Sequence, residues 1–359
     1  MKKPEDQPDY EELGELELLK QQLARERKLR REAAMSDASS LAIAQAIRDV
    51  VPTRPIVPVA RISNRRKSHS SYEGLVHISD VHYGEVVRAS STGGLSEYSP
   101  EIARVRMGEI TAEAIDIGKY MNIGKLAVLY GGDLISGTIH DDLERSNSEM
   151  VVTQASDMAD IIVNQLEQFC QSFHSVDSDF RSGNHGRPYR PMFFNQKQTQ
   201  NWDYVTAMMV ERSLAKQKNL EFLTNESFWN IISAGNRQFL TMHGDTIKHA
   251  NSMSLPWYSM YKELLKWMGM REQGGVPHFD DMLIGHFHNQ ATIQMGDSAL
   301  RVAPAVKGPD DYSYAGSRMP TPAGARFLTV SEGTVKSDHI IELDHRPKGA
   351  EPETLRLVA

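Results

Sequence analysis

The chain has 359 residues and a hydrophobic content of 40%, enough for one large domain of roughly 250 residues plus extensions. Its formal net charge of −7 argues against a general nucleic-acid binder, and no apolar run approaches the roughly 20 residues that cross a bilayer. The charged start, Met1 to Pro8, lacks the apolar segment of a secretory signal, and the single cysteine, Cys170, fits a reducing compartment. We therefore expect a cytoplasmic protein that is neither secreted nor attached to a membrane.

The first segment, residues 1–36, is predicted to form a charged helix, because it is rich in Glu, Leu, Lys, Gln, Arg and Ala. Leu16, Leu19 and Leu23 have the spacing of a coiled-coil seam, but charged residues then interrupt the apolar positions. The pattern indicates a solvated helix with at most weak coiled-coil character. Such a helix is the one feature of the sequence that favours a homo-oligomer.

The second segment, residues 37–72, is predicted to be a basic linker rich in proline and serine. From Val50 to Tyr72 it contains no acidic residue, while several arginines and a lysine are present. A solvated linker is the plainer interpretation, and a flexible arm that touches a polyanion is the alternative. At the other end of the chain, residues 346–359 are predicted to be a polar tail.

The main domain is predicted to span residues 73–345 and to belong to the α/β class. The predicted helices cover residues 100–120, 148–173, 202–216 and 258–270. The predicted strands cover residues 75–79, 126–130, 176–180, 228–233, 238–242, 282–285, 291–295, 300–303, 326–330 and 334–341. Because strands first alternate with helices and then follow one another, we expect two packed sheets with helices outside them.

Short polar motifs stand where several of these strands end. They are Asp80-Val81-His82, Gly132-Asp133, Gly183-Asn184-His185, His243-Gly244-Asp245 and Gly285-His286-Phe287-His288. Carboxylate, imidazole and amide oxygen groups are ligands for divalent ions such as Mn²⁺, Fe²⁺ and Zn²⁺. Two such ions about 3.5–4 Å apart can hold the attacking and leaving oxygens of a phosphoryl displacement.

The spacing within the motifs indicates how two ions would be shared. Side chains two residues apart on an extended segment point to the same side, so Asp80 and His82 can bind one ion together. The same spacing lets His286 and His288 reach the metal pair. Asp133 is the natural bridging ligand, because the glycines before it leave room for metal. The motif residues that remain to complete the coordination of the second ion are Asn184 and His243.

The ordered set of motifs resembles the calcineurin-like metallophosphoesterase superfamily over about residues 73–342. The resemblance implies a four-layer sandwich of two mixed β-sheets flanked by helices. It also implies a two-metal site, with Mn²⁺ as the first choice and Fe²⁺ or Zn²⁺ as alternatives, in which a metal-bridging hydroxide is the nucleophile. The implied ligands are Asp80, His82 and His288 for the first ion, Asp133 as the bridge, and Asn184, His243 and His286 for the second. His185 would stabilise the transition state or protonate the leaving oxygen.

The third motif departs from the family pattern. An Asp or Glu usually follows Gly-Asn-His and orients the histidine, but here Gly186 and Arg187 follow, so His185 must lean on another group. This departure, and the lack of an aspartate-arginine extension after Asp133, disfavours a protein phosphatase. A purple acid phosphatase is disfavoured because no metal-binding tyrosine is evident near the second motif. The variant motif is similar to those of phage and prophage phosphoesterases described as DNA repair nucleases, and a phage-encoded protein would act in the host cytoplasm.

Further residues near the site are candidates for secondary roles. Arg187 could bind a substrate phosphate, or be an ordinary exposed loop arginine. His140 could reach the substrate, since it follows the bridging aspartate closely in sequence. Asp245 is expected to be a partner of a metal ligand or a turn residue. The aromatic residues between 251 and 278 are expected in the core, with base stacking as the alternative.

Three functions remain open from the sequence. The first is a two-metal phosphodiesterase or nuclease acting on DNA, which the basic linker, Arg187 and the phage-like motif favour. The second is a phosphatase or phosphodiesterase for a small nucleotide, which the acidic net charge favours. The third is a non-catalytic scaffold, which the complete set of ligand residues disfavours.

Overall fold

A computed structural model describes residues 71–139, 143, 146–189, 197–247, 256–311, 313 and 320–343. The helices in these ranges are α1 (Pro100–Tyr120), α2 (Val151–Ser172), α3 (Trp202–Ser213) and α4 (Trp257–Glu272). The strands are β1 (Glu73–Ile78), β2 (Lys125–Tyr130), β3 (Ser175–Phe180), β4 (Leu220–Phe222), β5 (Trp229–Ala234), β6 (Arg237–Met242), β7 (Asp281–Ile284), β8 (Ala291–Met295), β9 (Ser298–Val302), β10 (Gly324–Ser331) and β11 (Thr334–Glu342). The predicted N-terminal helix, nearly all of the basic linker and the C-terminal tail lie outside the described residues.

The first sheet has six strands in the order β11-β10-β1-β2-β3-β4. Strands β1 to β4 run parallel to one another, and β10 and β11 extend the sheet in antiparallel pairings. In β1, β2 and β3 all residues after the first are buried, as expected for parallel strands covered on both faces. The carboxyl ends of these three strands therefore meet at one edge of the sheet.

The second sheet has five strands in the order β5-β6-β7-β9-β8. Its centre is parallel, since β7 pairs in parallel with both β6 and β9, and each edge strand joins in an antiparallel pairing. A buried apolar cluster joins strands of both sheets and includes Leu75, Leu129, Phe239, Leu283 and Leu328. The inner faces of the two mixed sheets thus form a common core.

The helices cover the outer faces of the sheets. Helix α1 is capped at its N-terminus, because the Ser99 hydroxyl accepts the Ile102 N–H at 3.3 Å and Pro100 occupies the first turn. On α4, Met260, Leu264 and Trp267 are buried in a second apolar cluster with strands of the second sheet. None of the helices in the described ranges combines the length and the apolar character needed to cross a bilayer.

The predicted α/β fold of two mixed sheets flanked by helices is confirmed. Element bounds agree with the sequence prediction to within three residues. The short edge strand β4 was missed, because three residues carry too little pattern. Val105 has the helical spacing of the apolar residues of α1 but is 59% exposed, so the buried face of α1 is narrower than the apolar spacing indicates.

Candidate metal centre

The motif residues follow the ends of strands that lie side by side. After β1 and β2 the chain segments stay paired, because Asp80 N donates to the Gly132 carbonyl at 3.0 Å and His82 N to the Asp133 carbonyl at 2.9 Å. The segments after β6 and β7 are joined in the same way, since Gly285 N donates to the His243 carbonyl at 2.8 Å. Extending the strand pairing in this way brings side chains from both sheets to one place.

The backbone at this place is held in an unusual conformation. Eight non-glycine residues of the described chain have positive φ, and five of them are motif residues. They are Asp80 (φ 55°), His82 (49°), Asp133 (50°), His286 (68°) and His288 (55°). A non-glycine residue in this left-handed region costs about 1–2 kcal/mol. Such strain clustered at one site is typical of a functional centre rather than of packing.

The first group of potential ligands is Asp80, His82 and His288, whose donor atoms all lie within 4.8 Å of one another. The Nε2 atoms of His82 and His288 are 3.1 Å apart, and His288 Nε2 is 3.4 Å from Asp80 Oδ1. Two imidazole nitrogens and a carboxylate oxygen that converge on one point are suited to a divalent cation.

The second group is Asp133, His243 and His286, which meets the same 4.8 Å limit. His243 Nδ1 lies 2.8 Å from the Gly131 carbonyl, so it carries the proton and donates it there. Its Nε2 is 3.0 Å from Asp133 Oδ2, yet the two atoms are not aligned for a hydrogen bond. This arrangement suits two ligands of one metal ion better than an ion pair.

Asn184 adds a further atom that could bind a metal at this edge of the sheets. Its Oδ1 atom is buried and has no hydrogen-bond partner among the described residues. A buried amide oxygen without a partner costs about 1–3 kcal/mol, so its presence at a cluster of histidines and aspartates fits a metal ligand. The residues present therefore fit the divalent ions that their sequence motifs predict.

Electrostatics favour anionic aspartates and mostly neutral histidines. Burial alone would raise the pKa of Asp133, but the neighbouring His243 and His185 hold it well below its usual range. Burial lowers the pKa of His286 to about 3 and that of His82 well below the usual value. His243 and His288 are the exceptions. Asp133 outweighs burial and raises the pKa of His243 to about 10, and Asp80 outweighs burial and raises the pKa of His288. Metal binding must therefore release a proton from His243 near neutral pH.

His185 lies at the centre with its ring oriented by the backbone. Its Nδ1 donates to the Ser136 carbonyl at 2.9 Å, and its ring meets that of His82 edge-on at 4.3 Å between centroids. The group that replaces the missing carboxylate beside His185 is thus a carbonyl. Ligand atoms of His185, His82 and Asp133 lie within 4.8 Å of one another, so His185 is close enough to contact a metal or its substrate.

The secondary candidates have different outcomes. Arg187 lies against the third motif, where its Nε donates to the Asn184 carbonyl at 3.1 Å. Asp245 is bound in a buried ion pair with Lys197 at 2.5 Å, beside His243 in sequence, so it is more than a turn residue. His140 lies outside the described residues.

A carboxylate that the sequence did not reveal organises the centre. Asp203, at the start of α3, accepts the N–H groups of Asp133 at 2.9 Å, Leu134 at 3.1 Å and Gly183 at 2.9 Å. It is fully buried, and burial together with the Asp133 charge raises its pKa to about 7. Asp203 thereby ties the second motif to the third.

Gly186 makes room for this arrangement. A Cβ atom at this position would lie 2.1 Å from Asn201 Oδ1, which accepts the Asp203 N–H at 2.9 Å at the start of α3. The glycine that breaks the family pattern is therefore required where α3 approaches the third motif. The only signal in the sequence was the capping pair Asn201 and Asp203 before an apolar helix.

A buried lysine lies next to the first ligand group. The Lys307 N–H donates to the Asp80 carbonyl at 3.2 Å, and its Nζ lies 2.8 Å from Glu85 and 2.5 Å from Asp310. Burial opposes the charge of Lys307, but these two carboxylates outweigh it and raise its pKa. The ammonium group is therefore neutralised by its own partners and fixes the loops that carry Asp80.

No protein-family model and no curated protein matches the chain. Among solved structures, a predicted phosphoesterase from Streptococcus pneumoniae is similar at 8% identity, with 77% of this chain and 92% of that chain covered and a TM-score of 0.34. An archaeal phosphodiesterase has 12% identity, coverage of 75% and 99%, and a TM-score of 0.34. Vacuolar Protein Sorting 29 from Cryptosporidium parvum has 11% identity, coverage of 76% and 99%, and a TM-score of 0.33. Likenesses this distant carry no argument about activity.

Proposed function

We propose that this chain is a calcineurin-like metallophosphoesterase that hydrolyses phosphoesters with two divalent metal ions. The proposal rests on one observation, the contiguous set of buried histidine and aspartate donor atoms at the strand ends. The group formed by His82, Asp133 and His185 overlaps the two groups on either side of it. Two cations can therefore be held next to each other with Asp133 between them.

The proposed ligand roles follow the observed groups. Asp80, His82 and His288 would hold the first ion, and Asp133 would be shared by both. His243, His286 and Asn184 would hold the second, which accounts for the position of His243 Nε2 beside Asp133 and for the partnerless Oδ1 of Asn184. The native metal is proposed to be Mn²⁺, with Fe²⁺ or Zn²⁺ as alternatives, because all three accept this mixture of nitrogen and oxygen donors.

The ions would polarise the phosphoryl oxygens and lower the pKa of bound water. The chain's own contribution is to position groups around them. The Nδ1–H of His185 donates to the Ser136 carbonyl, so Nε2, once protonated, would be the ring nitrogen that donates a proton to the leaving oxygen or a hydrogen bond to the phosphoryl group. Burial lowers the pKa of His185, so the negative charge of Asp133 and of the bound phosphoester would have to favour its protonation.

The proposed substrate is DNA, cleaved as a phosphodiester. Arg187 supports this choice, since its guanidinium lies next to Asn184 and can bind a phosphate of the substrate. The basic linker of residues 37–72 supports it through charge. A small nucleotide is the second candidate, which the net charge of −7 favours because it weakens binding to a long polyanion.

The test is a hydrolysis assay with added Mn²⁺ on four substrates: bis-p-nitrophenyl phosphate, p-nitrophenyl phosphate, and single- and double-stranded DNA. We expect hydrolysis of the diester dye and of DNA. Hydrolysis of the dyes without DNA cleavage would move the substrate to the small-nucleotide class. Metal binding without hydrolysis of any substrate would contradict the enzymatic proposal and favour a scaffold.

The variant Asp133→Ala should lose at least about 10³-fold in rate, because both ions lose their shared ligand. Asp177→Asn is a matched control. Like Asp133, Asp177 is a buried aspartate, but it lies in the amino-terminal half of β3 and pairs with Lys125 at 2.7 Å. The variant Asp177→Asn should keep its activity and its metal content. A full rate of hydrolysis in Asp133→Ala would refute the ligand assignment.

A further inference from the structure

The outward face of α4 carries large apolar side chains that contact solvent. The exposed fractions are 52% for Trp257, 72% for Tyr258, 42% for Tyr261 and 44% for Leu265. These are half of the eight exposed large hydrophobic residues in the described part of the chain. The expectation that the aromatic residues of this segment lie in the core was correct for Trp267 and wrong for these three aromatics.

Packing of the helix does not require these side chains. Met260, Leu264 and Trp267 are the residues of α4 that are buried against the second sheet, on a face that adjoins the exposed side chains. At about 100° per residue, Trp257, Tyr261 and Leu265 form one stripe along the outward face. A stripe of exposed aromatic rings on a helix that is already anchored indicates a binding surface.

Positive charge runs beside this stripe. Lys262 and Lys266 are exposed on its edge, and Lys262 Nζ is 5.4 Å from the centroid of the Tyr258 ring. The one carboxylate between residues 257 and 266, Glu263, is half-buried and accepts from Lys266 Nζ and Trp267 Nε1, each at 2.8 Å. The surface therefore combines aromatic faces with a basic edge.

We propose that this α4 surface, formed by Trp257, Tyr258, Tyr261, Lys262, Leu265 and Lys266, binds single-stranded nucleic acid. The aromatic rings stack on bases and the lysines contact the phosphates, which is how sequence-tolerant single-strand binders work. From residue 257 to residue 266 the helix rises about 14 Å, the length of about four bases at a 3.4 Å spacing. The inference rests on the proposed nucleic-acid substrate.

Two further observations favour this occupant. In a twofold contact whose axis passes through this surface, Lys262 and Lys266 of one copy would lie close to the same lysines of the other, whereas a polyanion neutralises them. The inner face of α4 also shares its apolar cluster with Phe287, which lies between His286 and His288. The surface is thus built on the same packed unit as two proposed metal ligands.

The experiment measures the anisotropy of a fluorescent oligothymidylate of about ten nucleotides, with EDTA present so that cleavage does not interfere. Trp257→Ala and Tyr261→Ala should each weaken binding at least about fivefold, which is the lower limit for loss of one base–aromatic stack. Tyr120→Ala is the matched control, because Tyr120 is 89% exposed on α1, and it should bind like the wild type.

The contribution of the lysines is tested with the double variant Lys262→Glu/Lys266→Glu. Loss of two phosphate contacts should reduce the slope of log affinity against log salt by about 1.4, since each contact contributes about 0.7 on a single strand. The control is the double variant Lys216→Glu/Lys218→Glu, which reverses two exposed charges just after α3 and should leave the slope unchanged.

The outcomes separate this proposal from the proposed function. A wild type that hydrolyses bis-p-nitrophenyl phosphate but does not bind the oligonucleotide would overturn the α4 surface alone. Binding that the α4 substitutions weaken, without any hydrolysis, would support the surface and contradict the enzyme. If sedimentation shows that Trp257→Ala dissociates a dimer while oligonucleotide affinity is unchanged, the occupant is a second copy and the proposal is wrong.

Discussion

Asp203 provides the sharpest test of how the centre is organised, because it holds the motifs in place without being one of the proposed ligands. Its two carboxylate oxygens accept three backbone N–H groups, those of Asp133, Leu134 and Gly183. Asp203→Asn keeps the size of the side chain but offers only one acceptor oxygen. Whichever way the amide turns, at least one of the three N–H groups must face an NH₂ group.

The magnitude follows from that mismatch. One buried N–H group left without an acceptor costs about 1–3 kcal/mol, so the variant should lose stability by about that amount. Displacing the backbone of Asp133 should also move the proposed bridging carboxylate. Loss of a group that orients metal ligands typically weakens metal affinity about 10- to 100-fold.

The assay compares Mn²⁺ affinity, by titration against a competing chelator, with stability to urea in the same samples. Asp177→Asn serves as the control, because it weakens the partly exposed ion pair of Asp177 with Lys125, away from the carboxyl ends of the strands. We expect both variants to lose stability and only Asp203→Asn to lose metal affinity. Mn²⁺ affinity within twofold of the wild type in Asp203→Asn would refute the positioning role.

The pH dependence of the metal-free protein tests the same residue. The pKa of Asp203 is raised to about 7 in the folded chain, against 3.8 for an ordinary aspartate. A carboxyl whose pKa is higher in the folded than in the unfolded chain contributes most to the free energy of unfolding below pH 4. That contribution is lost as the pH rises to 7. The difference corresponds to at most about 4 kcal/mol, so the stability advantage of the wild type over Asp203→Asn should shrink between pH 4.5 and 7.5. A constant difference in urea unfolding would contradict this.

Three further predictions follow from close contacts and burial. Gly183→Ala should weaken metal binding at least about tenfold, measured by metal content, because its Cβ would lie 2.0 Å from Asp133 Oδ1. Lys197→Met should destabilise the fold by about 3–5 kcal/mol in urea unfolding, because it leaves the buried Asp245 carboxylate without its ion-pair partner. Cys170 should resist a thiol reagent at pH 8 until the protein is unfolded, since burial raises its pKa to about 12; rapid labelling of the native protein would contradict this.

The sequence alone determined the fold class and the positions of the proposed ligands. Both follow from local patterns, namely apolar strands of recognisable length and polar residues directly after them. Because parallel strands end at a common edge, Asp80 and Asp133 had to lie close together once their strands were predicted. The same reasoning places His243 and His286 close together, because they follow β6 and β7, which pair in parallel in the second sheet.

The limits of the sequence are clearest on α4. Its pattern contains apolar residues on two faces, one with Met260 and Leu264 and the other with Trp257 and Tyr261. Periodicity shows that both faces exist but not which one packs on the sheet. Only the packed structure decides that Met260 lies inside and Trp257 outside.

Tertiary structure also decided which groups support the ligands. Asp203 is 70 residues from Asp133 in the chain, and Lys197 is 48 residues from Asp245, so no local pattern links these partners. The proposed ligands are positioned by local backbone geometry directly after the strands, and short sequence motifs reflect that geometry. Their supporting contacts depend on where α3 and the loops pack, and that packing is the sum of long-range interactions that no short motif records.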